Sequence, residues 1–355
     1  EIIVPVKAAG IVDGRRPQDF DKLEHHKMWL GVQMLYDDTF VQSSVKLSES
    51  TNQYLLALLQ AAELRFANIM DPVIELVLTK TTRVDDKFLF LDRSGEVNYY
   101  QSLQFLKDGA PGYGIHFGDA DLVLFVTGRS VEPALLRPDG SWIGTPKIGG
   151  VCTGDKFGLV YDDGNSFSSA TDLAQQISFL LGAERPAKHD GSLLSQAGGG
   201  SRYYGLSEEG KRAILEHYKK YHKLSSCCWK DRPRPIQPKY PADFMLDRNV
   251  DICEASYGTS YKEYPVQTEG RRVSAQCRIA CRNDGGDRIR VREAFVPDGA
   301  KCGSEGQICV YGWCINRIGD YLSPPGLAIP AIAGGTPFDW DKLKLEIESE
   351  NEDET

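Results

Sequence analysis

The distribution of cysteine divides this chain into two parts that need different kinds of stabilisation. Eight of the nine cysteines follow residue 226, and the ninth is Cys152. No C-x-x-C pair is matched by a second one, so a zinc ribbon is not predicted. The pattern favours a disulfide framework, which is typical of small extracellular domains that cannot build a large core. We therefore expect a cysteine-poor globular part, a small disulfide-rich module, and secretion of the chain.

Residues 171–185 have the spacing of a zinc-site motif without its ligands. In H-E-x-x-H-x-x-G-x-x-H, two histidines share a helix face, a glycine turns the chain, and a third histidine completes the site. Here Gln175 and Phe179 stand at the helical ligand positions, Gln176 at the position of the general base, and Arg185 at that of the third histidine. Of the residues that the motif names, Gly182 alone is present.

Each of these replacements removes one part of the zinc chemistry. A neutral amide such as Gln175 is a poor zinc ligand, and Phe179 has no lone pair to offer. Arg185 is always protonated and repels a dication, while Gln176 cannot accept a proton from water. The segment predicts no metal, no cofactor and no catalytic residue. Taken alone, it is also compatible with an ordinary amphipathic helix that matches the motif by coincidence.

The flanking sequence resembles reprolysin-type metzincins, the snake-venom and ADAM-like metalloproteases. Gly150-Val151-Cys152, the apolar stretch 157–161 and the acidic Asp162-Asp163 precede the helix in the order that this family uses. The match extends to the secreted metalloproteases of tick saliva. Downstream, His189-Asp190 is similar to the family's His-Asp pair, displaced in this chain by four residues from the position of Arg185. Leu194 stands where the family has a methionine that packs beneath the zinc.

The resemblance implies an α/β fold, a metzincin-like mixed twisted sheet with helices. It places the opening strand at 28–37 and a buried parallel strand at 122–126. Between them, apolar spacing predicts a helix from Tyr54 to Phe66, a strand at 73–78 and a helix from Tyr99 to Leu106. This order of strands and helices predicts a layered domain.

A second motif, P-D-G-x-x-C-G followed by C-x-x-G-x-C, spans Pro297 to Cys314. It resembles the cysteine-rich module that follows the catalytic domain in ADAMTS-like proteases. The six cysteines from Cys253 to Cys314 allow three bridges in any of about 15 connectivities. The resemblance further implies that Cys152 pairs with Cys227 or Cys228. One of that adjacent pair is then left as a buried or capped thiol, or as a link to another chain.

Charge and proline mark the remaining boundaries. Eight acidic residues and two lysines after residue 338 give −6 of the chain's net charge of −9, which predicts a flexible acidic tail. The start of the chain lacks the features of a signal peptide. We therefore interpret it as the start of a mature or trimmed chain. The predicted parts are an N-terminal segment (1–26), a metalloprotease-like domain (27–223), a proline-rich basic linker (224–250), a cysteine-rich module (251–318) and the acidic tail (319–355).

These features predict a secreted pseudoprotease that acts by binding an extracellular protein. One predicted surface is the former substrate groove, between the helix at 171–181 and an edge strand near 144–148. Ile148 would lie at its edge, Phe179 would form an apolar floor, and Arg185 would recognise a carboxylate. The tick resemblance implies host proteins of haemostasis, complement or inflammation as partners.

The other predicted surface is an arginine-rich face of the cysteine-rich module, which could bind a polyanion or an acidic protein. The alternative is a solvated face whose arginines are offset by Asp284, Asp287 and Glu293. The arginines concerned are Arg271, Arg272, Arg278, Arg282, Arg288, Arg290 and Arg292.

Two further functions stay open at the level of sequence. A hydrolase with an atypical centre would use His116, His189 or Asp190, and a structural protein would have no specific partner. The acidic composition gives no indication of nucleic-acid binding. No apolar run reaches the length of about 18 residues that a transmembrane helix needs.

Overall fold

The fold is described from a computed structural model. The described residues are 27–43, 50–69, 72–118, 120–132, 135–136, 142–186, 190–195, 205–222, 239–264, 267–268, 271–272, 277–283, 290–303, 306–318 and 321–322. The N-terminal segment 1–26, the acidic residues after 322, His189, Cys227, Cys228 and Arg288 lie outside them.

A four-stranded parallel sheet forms the centre of the N-terminal domain. Its strands run in the order β2-β1-β3-β6, with parallel pairing at each step. A short antiparallel pair, β4 with β5, lies apart from this sheet. The strands are β1 (Lys27–Tyr36), β2 (Val73–Arg83), β3 (Leu122–Thr127), β4 (Leu135–Leu136), β5 (Trp142–Ile143) and β6 (Phe157–Tyr161).

Helices cover both faces of the sheet, which gives three layers. Successive side chains of a strand point to opposite faces, so Leu122, Leu124 and Val126 of β3 join one core while Val123 and Phe125 join another. The first core includes the helices α2 (Thr51–Leu64) and α4 (Ala170–Leu180), and the second includes the helix α3 (Tyr99–Gly109). The helices are α1 (Asp38–Ser43), α2 (Thr51–Leu64), α3 (Tyr99–Gly109), α4 (Ala170–Leu180) and α5 (Glu208–His222), with 3-10 turns at Asp86–Phe88 and Ala110–Tyr113.

A buried polar network fixes the start of α4. The Tyr54 hydroxyl of α2 donates to Asp162 Oδ1 at 2.6 Å, and the backbone N–H of Ser169 donates to Asp162 Oδ2 at 3.1 Å. Burial and, to a smaller extent, the neighbouring Asp163 together raise the pKa of Asp162 from 3.8 to about 6. The acidic residues after β6 therefore act in packing, since they join α2 to the loop that begins α4.

The predicted linker 224–250 is wrong in its C-terminal part, because residues 241–247 form a packed helix, α6 (Pro241–Asp247). Phe244 is buried and lies edge-on to Tyr54 and Phe167, with ring centroids 5.5 and 5.4 Å apart. Pro241 occupies the first turn of the helix, where a missing N–H costs nothing. The proline-rich composition thus concealed a helix that completes the main core.

The C-terminal module is small and held by three disulfides. Cys253 bonds Cys281, Cys277 bonds Cys309, and Cys302 bonds Cys314. Its elements are α7 (Ile252–Tyr257), β7 (Tyr261–Tyr264), β8 (Gln267–Thr268), β9 (Arg271–Arg272), β10 (Arg278–Asn283), β11 (Arg290–Phe295), β12 (Gln307–Val310), β13 (Trp313–Ile318) and β14 (Tyr321–Leu322). Strands β11, β10 and β7 form one antiparallel sheet, and β12, β13 and β14 form another.

The module packs directly on the N-terminal domain. Leu64, at the end of α2, is buried with Ile308, Val310 and Ile315 of the β12–β13 hairpin. The contact is apolar and continuous with the end of a core helix. It therefore joins the two parts through buried surface as well as through the chain.

The predicted α/β fold followed by a disulfide-rich module is confirmed, and each element predicted before β3 is present with small changes of its bounds. The prediction of an edge strand near 144–148 is wrong. Strand β5 ends at Ile143, Gly144 has a φ of 76°, and Pro146 lacks the N–H that a strand ladder requires.

None of the helices in the described parts of the chain has the length and hydropathy required of a membrane span.

Candidate binding site at the degenerate zinc motif

Helix α4 carries three of the motif positions, Gln175, Gln176 and Phe179. Asp172, Gln175 and Phe179 are separated by three and four residues, so their side chains lie above one another along the helix. Leu173, Ala174 and Ile177 point into the main core. The main core also includes Phe179, whereas Gln175 is half-buried and Asp172 is exposed.

The side-chain amide of Gln175 forms a hydrogen bond with the backbone. Its Nε2 donates to the backbone carbonyl of Leu193 at 2.7 Å. Leu193 and Leu194 are both buried in the main core. Leu194 stands where the family has a packing methionine, and in this chain it is likewise a core residue. The segment after the motif is thus bonded to α4 at the position of the first ligand.

Gln176 is a hydrogen-bond partner of α3. Its Oε1 accepts from the hydroxyl of Tyr99 at 2.5 Å, and both side chains are buried. Burial raises the pKa of Tyr99 well above its ordinary value, so the phenol stays a donor. The position of a general base is therefore occupied by a neutral acceptor tied to a neutral donor.

Phe179 and Arg185 pack on each other at the two remaining ligand positions. The Arg185 guanidinium lies 5.3 Å from the centroid of the Phe179 ring, within the range of a cation–π contact. Burial lowers the pKa of Arg185, and the carboxylate of Asp172 opposes that shift. Burial raises the pKa of Asp172 in turn, with Arg185 opposing. A cation over an aromatic ring therefore stands where the motif would place two imidazoles.

This set of residues does not fit a zinc ion. The amide of Gln175 is engaged with a carbonyl, the Phe179 ring has no donor atom, and Arg185 is a cation. Elsewhere in the described residues, one group of three potential ligand atoms lies close together, formed by Cys277, Cys302 and Cys309. Those sulfurs are all in disulfides and cannot bind a metal as thiolates.

Gly182 has a structural role that does not need zinc. Its φ is 98°, in the left-handed region that favours glycine, and it follows the end of α4. A Cβ at this position would lie 2.9 Å from Cβ of His217, which belongs to α5. Gly149 meets the same side chain, with a Cβ built there 2.8 Å from His217 Cε1. The motif's surviving glycine is required by the close approach of α5.

A cleft of about 700 Å³ opens beside Phe179 and Arg185. One wall is α3, and the other is the irregular segment 145–148 that follows β5. Ile148, predicted as a binding residue, is 43% exposed and lies in the second wall. The structure thus brings Ile148, Phe179 and Arg185 together. The cleft is lined by Tyr99, Tyr100, Leu103, Gln104, Lys107, Thr145, Pro146, Lys147, Ile148, Asp155, Phe157, Phe179, Glu184 and Arg185.

Sequence reasoning missed the contribution of α3 to this cleft. Tyr99 and Leu103 lie on the wall, and Lys107 forms an ion pair of 2.6 Å with Asp155 across the rim. The helix itself was predicted, and the apolar residues Tyr99, Tyr100 and Leu103 are the signal that could have marked its cleft side. Nothing in the local sequence pairs Lys107 with a residue so distant in the chain.

The arginines of the cysteine-rich module do not form a single face. In the antiparallel pairing of β10 with β11, Arg282 lies opposite Val291, while Arg292 lies opposite Cys281. Because side chains alternate, Arg278 and Arg282 point to one face of the sheet and Arg290 and Arg292 to the other. The predicted continuous basic face is therefore wrong for these four. The side chains of Arg271, Arg272 and Arg288 lie outside the described residues.

Several of these arginines already contact neighbouring side chains. Arg278 forms a 2.6 Å ion pair with Glu293. The Arg282 guanidinium lies 5.3 Å from the ring centroid of Tyr264, and that of Arg292 lies over Tyr257 and Tyr261. Their charges are thus partly used within the module.

The residues proposed for an atypical hydrolytic centre are not assembled by the described structure. His116 is exposed in the loop after the 3-10 turn at 110–113. Asp190 Oδ1 accepts from the Ser192 N–H and the Ser195 hydroxyl within its own turn, and His189 lies outside the described residues. Cys152 is disulfide-bonded, so its thiol is not a nucleophile.

Comparisons with known proteins give no family for this chain. No family model matches it, and no curated protein matches its sequence. Solved structures with some likeness include a chaperone–substrate complex, with 11% identity, a TM-score of 0.35, and coverage of 51% of this chain and 32% of the other.

Two further solved structures with some likeness are metalloproteases. Archaemetzincin from Methanopyrus kandleri has 10% identity, a TM-score of 0.35, and coverage of 54% of this chain and 96% of the other. Metalloproteinase-II from Bacteroides fragilis has 16% identity, a TM-score of 0.33, and coverage of 54% and 53%. This chain therefore spans about a third of the first structure's chain and about half of the third's.

Proposed function

We propose that this protein is a secreted pseudoprotease of the reprolysin-like type, which binds an extracellular protein and does not cleave it. The observation that carries the proposal is the fate of the motif side chains. Gln175 bonds the Leu193 carbonyl, Gln176 bonds Tyr99, and Arg185 stacks on Phe179. Each replacement side chain is bonded to or stacked on another group of the protein, which supports a site that is stable without a metal ion.

An open cleft at these positions supports binding as the retained activity. Pockets of 300–1,000 Å³ with apolar walls and a few polar groups are the usual form of a ligand site, and the cleft has about 700 Å³. Strand addition along residues 144–148 is not part of the proposal, because that segment is irregular. The resemblance to tick salivary proteases makes host proteins of haemostasis, complement or inflammation the first partners to screen.

Secretion is part of the proposal and is supported by cysteine usage. Seven described cysteines are in disulfide bonds, which form and persist mainly in oxidising compartments. Cys152 is one of them, and Cys227 and Cys228, its proposed partners, lie outside the described residues.

The first test is the zinc content of the pure protein, measured by elemental analysis after incubation with excess zinc and dialysis. We expect no retained zinc and no hydrolysis of a quenched fluorescent peptide library, in a protein that unfolds cooperatively. About one zinc per chain, lost in the variant His189→Ala, would contradict the proposal and reopen catalysis.

A further inference from the structure

Two disulfides of the cysteine-rich module lie side by side. The sulfur atoms of Cys277, Cys302 and Cys309 are all within 4.8 Å of one another. They belong to two different bridges, an inner bridge (Cys277–Cys309) and an outer bridge (Cys302–Cys314). The Cys302 sulfur is therefore close to both sulfurs of a bridge to which it does not belong. Once its own bond is open, a change of side-chain rotamer can bring it into contact with that bridge.

Burial selects the sulfur at which an exchange of disulfides can begin. Of the module's six cysteines, all of which are described, five are buried and Cys314 alone is half-buried. Beside it lies the exposed Gly303, where a Cβ would stand 3.3 Å from the Cys314 sulfur, so residue 303 places no side chain over that atom. An external thiolate can thus attack the outer bridge at Cys314, with Cys302 as the leaving group. The third bridge, Cys253–Cys281, is buried in a separate cluster.

The inner bridge fixes the segment that holds the module on the N-terminal domain. The backbone carbonyl of Cys309 accepts from the Gly299 N–H at 2.9 Å, and its N–H donates to the Ala300 carbonyl at 2.8 Å. These two residues directly follow Asp298, whose carboxylate contacts the buried Arg65 after α2. The position of Asp298 against the N-terminal domain therefore depends on the strand that Cys309 ties to the rest of the module.

We propose that the module carries a thiol-exchange site, at which an external thiol opens the outer bridge and the released Cys302 thiolate attacks the inner bridge. In the first step the external thiolate forms a mixed disulfide with Cys314, and the Cys302 sulfur leaves as a thiolate. In the second step this thiolate bonds to Cys277 or Cys309, and the other of the two leaves. One thiolate is consumed and one is released, so there is no net oxidation or reduction. The proton lost by the external thiol goes to water, from which the last thiolate takes one up.

The reactant that this site would take is a low-molecular-mass thiol, since the sulfur to be attacked is half-buried and open on the side of a glycine. Whichever inner sulfur is attacked, Cys309 and Cys277 are no longer joined, and the segment next to Asp298 loses a covalent constraint. Thiols in the surrounding medium thereby change how firmly the module is held on the N-terminal domain. The site needs neither the cleft nor the degenerate motif, so it lies beyond the proposed function.

The test is reaction of the parent chain with reduced glutathione, stopped by alkylation at successive times and mapped by peptide mass spectrometry. We expect glutathione on Cys314, then a new bridge from Cys302 to Cys277 or Cys309. The effective concentration of a neighbouring thiolate is about 1 mM or more. With glutathione at about 0.1 mM, the inner bridge should therefore open at least about tenfold faster than the equally buried third bridge.

The variant Cys314→Ser removes the need for an external thiol, because it leaves Cys302 as a thiol in the folded chain. We expect this variant to form the bridge from Cys302 to an inner sulfur by itself at about pH 8, where a cysteine thiol is partly ionised. In the matched control Cys281→Ser, the free Cys253 lies in the other cluster, so the inner and outer bridges should both be retained. Thermal unfolding shows whether each variant is folded, and the experiment on the parent chain depends on neither.

Hydrogen exchange measures the effect on the contact between module and domain. After treatment with glutathione, we expect the peptides that contain Gly299 and Cys309 to exchange at least about tenfold faster, while β3 is unchanged. Unchanged exchange in those peptides would overturn the link between the bridges and the Asp298 contact.

Three results would overturn the exchange site itself. They are the absence of a glutathione adduct on Cys314, an opened outer bridge beside an inner bridge that stays intact, and opening of all three bridges at one rate, which indicates general unfolding. None of them bears on zinc binding or peptide hydrolysis, so the pseudoprotease proposal is tested separately.

Discussion

The guanidinium of Arg65 lies 2.7 Å from the carboxylate of Asp298, and the two side chains are only 3% and 9% exposed. Arg65 follows the last residue of α2, and Asp298 belongs to the Pro-Asp-Gly turn of the cysteine-rich module. Arg65 Nε also donates to Thr171 Oγ1 of α4 at 3.3 Å, and its guanidinium lies over the Tyr311 ring. One buried cation therefore joins two helices of the domain to the module.

Breaking this pair should cost much of the protein's stability. Removing one partner leaves the other charge buried and unpaired, which typically costs about 3–5 kcal/mol. Asp298 Oδ1 also accepts from the backbone N–H of Tyr311 at 2.7 Å, so the carboxylate cannot simply turn towards water. We expect Arg65→Met to lower the free energy of unfolding by that amount in urea denaturation.

An exposed ion pair provides the matched control. Arg83 and Asp38 are joined at 2.5 Å, but their side chains are 60% and 44% exposed. Water screens such a pair, so Arg83→Met should change the free energy of unfolding by less than about 1 kcal/mol. Equal effects of the two substitutions would mean that burial of the Arg65–Asp298 pair is not what stabilises the contact.

The stability of the domain should fall as the pH rises above neutrality because of Glu63. Burial raises its pKa from 4.5 to about 8, against the hydrogen bond that the Leu76 N–H donates to it at 2.5 Å. Between these values the folded state keeps a proton that the unfolded state releases. The favourable contribution is complete below pH 4.5 and is lost as the pH rises through about 8.

Glu63→Gln should remove this dependence, since glutamine does not titrate. We expect unfolding free energies of parent and variant to diverge by at most about 1.4 kcal/mol per pH unit between roughly pH 6.5 and 8. Asp162, with a pKa of about 6, and His217, whose pKa burial lowers, titrate mainly below that window. Asp38→Asn, at an exposed carboxylate of lowered pKa, should leave the slope unchanged.

The sequence predicts the secondary structure of neighbouring residues well, but it does not predict contacts between residues that are distant in the chain. The apolar run of β3 and the spacing within α4 predict those elements correctly, because hydrophobic periodicity determines burial. The Lys107–Asp155 pair and the Tyr99–Gln176 hydrogen bond join residues distant in the chain, and no local pattern specifies them. The faces on which the module's arginines lie follow from strand pairing, which the sequence alone did not provide.

Two errors have the same physical origin. The prolines before and at residue 241 predict a linker, yet Pro241 begins a buried helix. Gly144 and Pro146 were included in a strand, yet their backbone preferences end it. Both outcomes follow from the fixed φ and missing N–H of proline, which suit the first turn of a helix and exclude the interior of a strand ladder.

Gly182→Ala should destabilise the protein more than the same change at a glycine with open surroundings. Gly182 and Gly95 both have a positive φ, of 98° and 87°. A Cβ at Gly182 would lie 2.9 Å from His217 Cβ, whereas nothing lies within 4 Å of one at Gly95. Both substitutions incur the roughly 1 kcal/mol cost of a left-handed backbone, and Gly182→Ala adds about 1–3 kcal/mol of overpacking.

Chemical denaturation of the two variants measures the difference. If Gly182→Ala proves no worse than Gly95→Ala, the close approach of α5 does not explain why this glycine is present in a motif that has lost its ligands.

Restoring the motif tests whether its frame is structural or coincidental. In the variant Gln175→His/Gln176→Glu/Phe179→His/Arg185→His, two imidazoles share one face of α4 and Gly182 still turns the chain towards the third. We expect this variant to retain about one zinc per chain after dialysis, and each single histidine substitution to retain none. A variant with the three histidine substitutions and the parent Gln176 should bind zinc without hydrolysing peptides, because the general base is missing.

If the four-site variant folds and binds no zinc, residues 171–185 form an ordinary amphipathic helix. The cleft beside them would then have no catalytic ancestry to explain.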